Sequence, residues 1–288
     1  MKNSRCFLPV PLFALLSVFL FSVSVSAQKL SAEEIVAKHL EAIGSAESRK
    51  NLKNHVANGL VKFSVLRQAG VGGDGKIVLA SEGTKSLLGM TFNIPTYPSE
   101  LIVFDGKKHK VAFAINNARS TFGDYIYRYS ETLKEGLLGG TLSTGWSLKN
   151  LSERKAKVKL EGTKKINDRE AYALSYQPKG GSDLTITIFI DKETFQHVRT
   201  EYRRLISAMQ GSSPDASALQ RRERRENMIE EFLDYKTVNG LNLPHKYRIY
   251  LMLESDSSGT REYEWNAEFR EFFINQPLDP ASFSTEGK

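Results

Sequence analysis

From residue 56 onward, apolar and polar positions alternate with a period of two. Val61, Phe63 and Val65 stand on one side, Lys62 and Ser64 on the other, and the alternation recurs through most of the chain. Successive side chains of a strand point to opposite faces, so the pattern predicts half-buried β-strands. The predicted strands cover 56–66, 75–82, 84–92, 98–105, 108–115, 155–163, 169–177, 183–191, 196–206, 222–238, 244–254 and 260–273. Residues 222–233 also suit a helix, through Met228, Ile229, Phe232 and Leu233. Strand is preferred because Tyr235 and Val238 run on into a turn and a further strand. Asp105-Gly106, Asn167-Asp168, Gly180-Gly181, Asn239-Gly240 and Ser258-Gly259 lie between the runs and accept tight-turn geometry. Short links join antiparallel neighbours, since parallel pairs need crossovers of about a dozen residues or more. The expected fold class is mainly β (α+β): one large, strongly curved antiparallel sheet, an unclosed β-barrel of about eleven or twelve strands, with helices covering its concave face.

Two segments break the alternation. The first opens with Ser31 and Glu34, spaced as a capping box, followed by Ile35, Val36, Leu40 and Ile43 at helical spacing and a stop at Gly44. A second helical piece is expected at about 46–54. The other segment is 121–152, where Phe122, Tyr125, Ile126, Tyr129 and Leu133 fall on one helical face. A glycine-rich apolar run from Gly136 to Leu142 follows, with Leu137 and Leu138 inside it, and Trp146 closes it. Leu137, Leu138, Leu142 and Trp146 are open to two readings, ordinary core packing or the lining of a ligand cavity. A concave sheet of this size needs a cover, and Gly136, Gly139, Gly140 and Gly145 weaken helix formation. The second segment is therefore expected to be a movable cover over an apolar cavity.

The first 27 residues follow a different rule. Lys2 and Arg5 precede an almost wholly apolar run from Phe7 to Phe21, and Val25-Ser26-Ala27 supplies small residues for cleavage. This reads as a signal peptide, 1–27, leaving a single domain, 28–288, in the periplasm or outside the cell. The one cysteine, Cys6, lies in the leader, so disulfides, thiolate metal sites and a cysteine nucleophile are excluded from the exported part. The net charge of +7 would suggest nucleic acid, but an exported chain meets anionic lipids first. Arg221, Arg222, Arg224 and Arg225 are read as a solvated strand edge or loop, or as a contact for anionic headgroups. No nucleic-acid partner is expected, and a monomer is.

Catalytic patterns are scarce. The five histidines, at 39, 55, 109, 197 and 245, have no metal spacing. Gly140 to Gly145 reads G-x-x-S-x-G, one residue too long for a nucleophile elbow. Gly70 to Gly75 joins two strands and is read as a hairpin loop, not a dinucleotide fingerprint. His39 is read as a satisfied, partly buried side chain. Asp191 and Glu193 are read as turn residues. No enzymatic activity, no cofactor and no metal is expected.

Several stretches resemble the outer-membrane lipoprotein-sorting proteins, the LolA/LolB-like superfamily. They are Leu30 to Val36 with His39 to Gly44 at the start, Phe189 to Thr194 at a strand turn, Asp234 to Pro244 at a late hairpin, and Asn275 to Phe283 at the end. The resemblance implies an unclosed antiparallel barrel with helices over its mouth and acyl chains inside. The function it implies is a periplasmic carrier or binder of lipid or lipoprotein acyl chains. The alternative is a non-catalytic regulatory or adaptor module of the same fold, binding a protein partner in the envelope.

Overall fold

The computed structural model describes residues 30–68, 70–207, 223–255 and 259–286. The leader read at 1–27, and most of the basic loop with Arg221 and Arg222, lie outside the described residues.

Every predicted strand forms. The order is β1 Asn54–Val65, β2 Gly72–Glu82, β3 Lys85–Phe92, β4 Ser99–Phe104, β5 His109–Val111, β6 Lys157–Ile166 and β7 Arg169–Gln177. Then come β8 Thr185–Asp191, β9 His197–Ile206, β10 Arg224–Val238, β11 Leu241–Ser255 and β12 Gly259–Ile274. The doubtful stretch at 222–233 is strand from Arg224 on: Met228 and Phe232 are buried together while Leu233 is exposed, which is a period of two. β5 stops at Val111, short of the expected 115, because Ile115 and Ala118 close a tight turn through Asn116 and Asn117 at positive φ. Turn chemistry sets the hairpins as read. Asn167 and Asp168 (φ 46° and 65°) and Asn239 and Gly240 (φ 48° and 76°) have both central residues left-handed, the turn that matches strand twist.

The twelve strands form one sheet in the order β5-β4-β3-β2-β1-β12-β11-β10-β9-β8-β7-β6. All neighbours are antiparallel, and β1 with β12 joins the first five strands to the last seven. Register shifts at Asn58/Gly59, Leu160/Gly162 and Phe189/Ile190 bend the strands and help the sheet curl. The sheet stays open, and its free edges are β5 and β6. These two strands are consecutive in sequence. The connection from 112 to 156 therefore has to cross the open side, which is why this segment and no other becomes the cover.

The cover is a series of short pieces: α3 Thr121–Arg128, α4 Glu131–Lys134, a 3-10 turn Gly140–Leu142, a second Ser147–Asn150, and α5 Leu151–Arg154. At the amino-terminal side lie α1 Ala32–Ile43 and α2 Ala46–Asn51. Ser31 and Glu34 make the reciprocal capping box on α1 at 2.7 and 3.2 Å, and its buried stripe is Ile35, Val36, His39 and Ile43. The inner sheet face is apolar: Val61, Leu88, Ile102, Ile188 and Leu251 are each at most 2% exposed. Among the described residues no helix is long and apolar enough to cross a membrane.

Candidate functional site

All nine cover residues singled out in the sequence are buried. Phe122, Tyr125, Ile126, Tyr129, Leu133, Leu137, Leu138, Leu142 and Trp146 are each no more than 7% exposed. Ser120 starts α3 by accepting the Gly123 N–H at 2.8 Å, which aims Phe122 at Trp265, ring centres 5.1 Å apart. Tyr125 and Tyr129 lie edge to face at 4.8 Å.

Where Leu133, Leu138 and Leu142 rest on Leu79, Leu88 and Ile102, the space left is about 10 Å³, close to the minimum that holds one water. At this contact the cover's side chains leave no room for an acyl chain. The glycines also act otherwise than expected. A Cβ on Gly140, at φ 50°, would stand 2.6 Å from His197 Nδ1 and 2.7 Å from the Phe232 ring, and one on Gly136 would strike the Gly145 carbonyl. Close approach requires glycine at both positions, to the sheet at Gly140 and within the cover itself at Gly136.

Three carboxylates on the inner sheet face hold the cover. Glu100 on β4 accepts from Tyr97 Oη at 3.0 Å and from Ser120 Oγ, the capping residue of α3. Glu226 on β10 accepts from Arg128 at 2.9 Å and Tyr129 Oη at 2.6 Å, at the other end of α3. Glu230, two strand positions on along the same face, accepts the Gly139 N–H at 2.7 Å and the hydroxyls of Tyr202 and Tyr247 at 2.5 Å each. Among the described residues Glu100 and Glu230 have no cation beside them, and burial pushes both carboxyls up to about 7 against the hydrogen bonds that favour ionisation. Glu226 differs, being paired with Arg128.

The far end of the cover is pinned by an imidazole. Trp146 Nε1–H donates to His39 Nε2 at 2.9 Å, and His39 Nδ1–H donates to the Phe195 carbonyl at 2.9 Å. Both ring nitrogens are used, so His39 is neutral, and burial lowers its pKa to about 4. His197 stacks on Trp146 with ring centres 4.6 Å apart. His39 is the satisfied histidine expected from sequence, and more deeply buried than expected.

The remaining candidates fall elsewhere. Asp191 is a turn residue, its Oδ1 accepting from the Glu193 and Thr194 N–H groups at 3.0 and 2.8 Å while Arg169 pairs with it. Arg224 and Arg225 start β10 with ion partners at Glu226, and at Glu223 and Glu254. Among the described residues no group of three His, Cys, Asp or Glu side chains is placed to hold a metal ion.

The three carboxylates were missed in the sequence, although a signal exists. Glu226, Met228, Glu230 and Phe232 alternate along one strand face, as do Glu100, Ile102 and Phe104. An acid in register with core residues is a buried acid, which needs a partner.

The architecture that the resemblance implied, an unclosed antiparallel barrel with helices over its mouth, is the one the chain adopts. In fold it is similar to a DUF1329 family protein from Desulfovibrio piger (TM-score 0.47, 11% identity, 88% of this chain and 97% of that one). It is similar as well to a LolA superfamily protein from Nitrosomonas europaea (TM-score 0.46, 12% identity, 89% and 98%). A third likeness is to a domain assigned to outer membrane lipoprotein sorting from Vibrio parahaemolyticus (TM-score 0.45, 12% identity, 88% and 95%). No protein-family model matches the chain, and no curated protein sequence does.

Proposed function

We propose that the chain is a non-catalytic carrier or binder of lipid or lipoprotein acyl chains in the periplasm, of the outer-membrane lipoprotein-sorting type. The observation that carries this reading is the seam itself. An apolar sheet face is plugged by an apolar segment that forms no strand pairing with the sheet body and is tied to it through hydrogen bonds at Glu100, Glu226, Glu230 and His39. Such a plug can leave while the sheet keeps all its ladders. Cargo would take the place of Leu137, Leu138, Leu142 and Trp146. An acyl chain of about fifteen methylenes would gain on the order of 12 kcal/mol on leaving water, and part of that gain offsets exposure of the cover. Arg224 and Arg225 would face anionic headgroups.

A second reading, an adaptor that binds an envelope protein, is favoured by two observations. The space under Leu133, Leu138 and Leu142 is only about 10 Å³, and the outer face of β1 to β4 has an apolar groove of about 730 Å³ through Leu60, Val78, Gly89 and Leu101. Mass spectrometry of lipids in the natively extracted protein, with titration by a fluorescent fatty acid, separates the readings. The carrier reading expects co-purifying lipid and saturable probe binding that disturbs Trp146. A lipid-free protein that ignores the probe would leave the adaptor.

A further inference from the structure

The two free edges of the sheet differ. β5 has three residues, and Arg119 Nε–H donates to its Val111 carbonyl at 3.2 Å. β6 has ten residues, pairs with β7 alone, and is exposed along most of its length. An edge strand presents backbone N–H and C=O groups that lack a ladder partner, which is a template for a further strand. A groove of about 760 Å³ lies beside this edge, between β6, α1 and α5. Its apolar lining includes Ala32 and Val36 of α1, Leu151 of α5 and Val158 of β6 itself. Lys157 and Lys159 are exposed while Val158 and Leu160 are half-buried, so the strand alternates basic and apolar positions.

The charge here is one-sided. Residues 155–166 hold five lysines and one acid, Glu161. Lys155, Lys157 and Lys159 line the groove, and the acids lining it are Glu33 and Glu161, the latter paired with Lys159 at 3.3 Å. Two β6 edges laid side by side would set lysine against lysine, so the edge repels a second copy of the chain. We propose that β6 binds an extended acidic segment of a partner protein, which adds a strand to the sheet. Residues opposite each other on paired strands share a face. The segment therefore places acidic side chains opposite Lys157 and Lys159, and an apolar one between them opposite Val158, which lines the groove with Val36 and Leu151. The register shift at Leu160/Gly162 ends the regular edge, so the pairing runs from Lys157 to Leu160. This surface is distinct from the seam under Leu133, Leu138 and Leu142, and the proposal does not rest on acyl binding.

The test is fluorescence anisotropy of a labelled peptide of alternating aspartate and valine, titrated with the protein at low salt. About eight residues cover the stretch, at about 3.3 Å per residue. Saturable binding is expected, at least tenfold tighter than that of a peptide with the same residues grouped, aspartates first. Lys157→Glu with Lys159→Glu should weaken binding at least tenfold without lowering the melting temperature, since both side chains are exposed. That double variant should bind the alternating lysine–valine peptide in its place. Lys107→Glu with Lys108→Glu, the same charge change on exposed residues before β5, should leave binding unaltered. Alternate residues of an added strand bond to the edge, so N-methylation of all valines or of all aspartates should abolish binding in one case only. No saturable binding, equal binding of the grouped peptide, binding that survives Lys157→Glu with Lys159→Glu, or equal effects of the two methylations would overturn the proposal. So would a wild type that ignores the peptides but sediments with phosphatidylglycerol vesicles through Lys157 and Lys159, which would assign these lysines to a lipid surface.

Discussion

Glu230 offers a sensitive test of how the cover is held. It is 0% exposed, three donors converge on it, and no cation among the described residues is beside it. A rise from 4.5 to about 7 corresponds to about 3 kcal/mol of penalty on the ionised form. The folded protein therefore binds a proton more tightly than the unfolded chain between those two values. Linkage then requires this group's contribution to fall as pH rises from about 4.5 to 7 and to stay low above 7. Glu230→Gln supplies a neutral side chain of the same shape, which still accepts the Gly139 N–H and can donate to a tyrosine oxygen. At pH 5 the variant and wild type should be of similar stability, since both are neutral there. At pH 8 the variant should be the more stable by up to about 3 kcal/mol. Urea denaturation at pH 5, 6, 7 and 8, read as the difference between the two proteins, isolates this residue from carboxylates shifted the other way, such as Glu201 and Glu231. A difference that does not change with pH, or a variant less stable at pH 8 than at pH 5 relative to wild type, would refute the reasoning.

Two other outcomes follow from the same seam. His55 is held neutral, with burial lowering it to about 4, so its contribution is intact above about 6.5 and is lost as pH falls towards 4. His55→Phe should therefore gain on wild type by up to about 3 kcal/mol over that range in acid denaturation curves; a constant difference would contradict it. Gly140→Ala should cost about 1–3 kcal/mol by overpacking against His197 and Phe232, read as a lower melting temperature. A variant as stable as wild type would show that the cover rests less closely on the sheet than described.

The strands were legible because one face of each is buried: Val61 and Phe63, or Met228 and Phe232, can repeat every second residue only on a strand. Asn167-Asp168 and Asn239-Gly240 were legible as turns because their backbone takes positive φ, which few residues tolerate. The nine cover residues were found through their apolar spacing, but that spacing is the same whether a segment fills a space or lines one. Only volume decides between the two, and volume depends on how closely Gly140 approaches His197, a contact between residues 57 positions apart. His55 was illegible for a related reason, since a missing partner is a property of three-dimensional surroundings.

The central claim is that cargo takes the place of the cover. Residues 28–288 hold no cysteine, so a bond between Ser81→Cys and Thr144→Cys, where the Ser81 hydroxyl now accepts the Thr144 N–H at 3.0 Å, can lock the cover cleanly. The measurement is the affinity of this double variant for a fluorescent fatty acid, reduced and oxidised, with the crosslink verified by mass. The account predicts saturable binding in the reduced protein and a loss of at least about tenfold on oxidation, about 1.4 kcal/mol. Equal affinity in the two states, or no binding in the reduced protein, would contradict it.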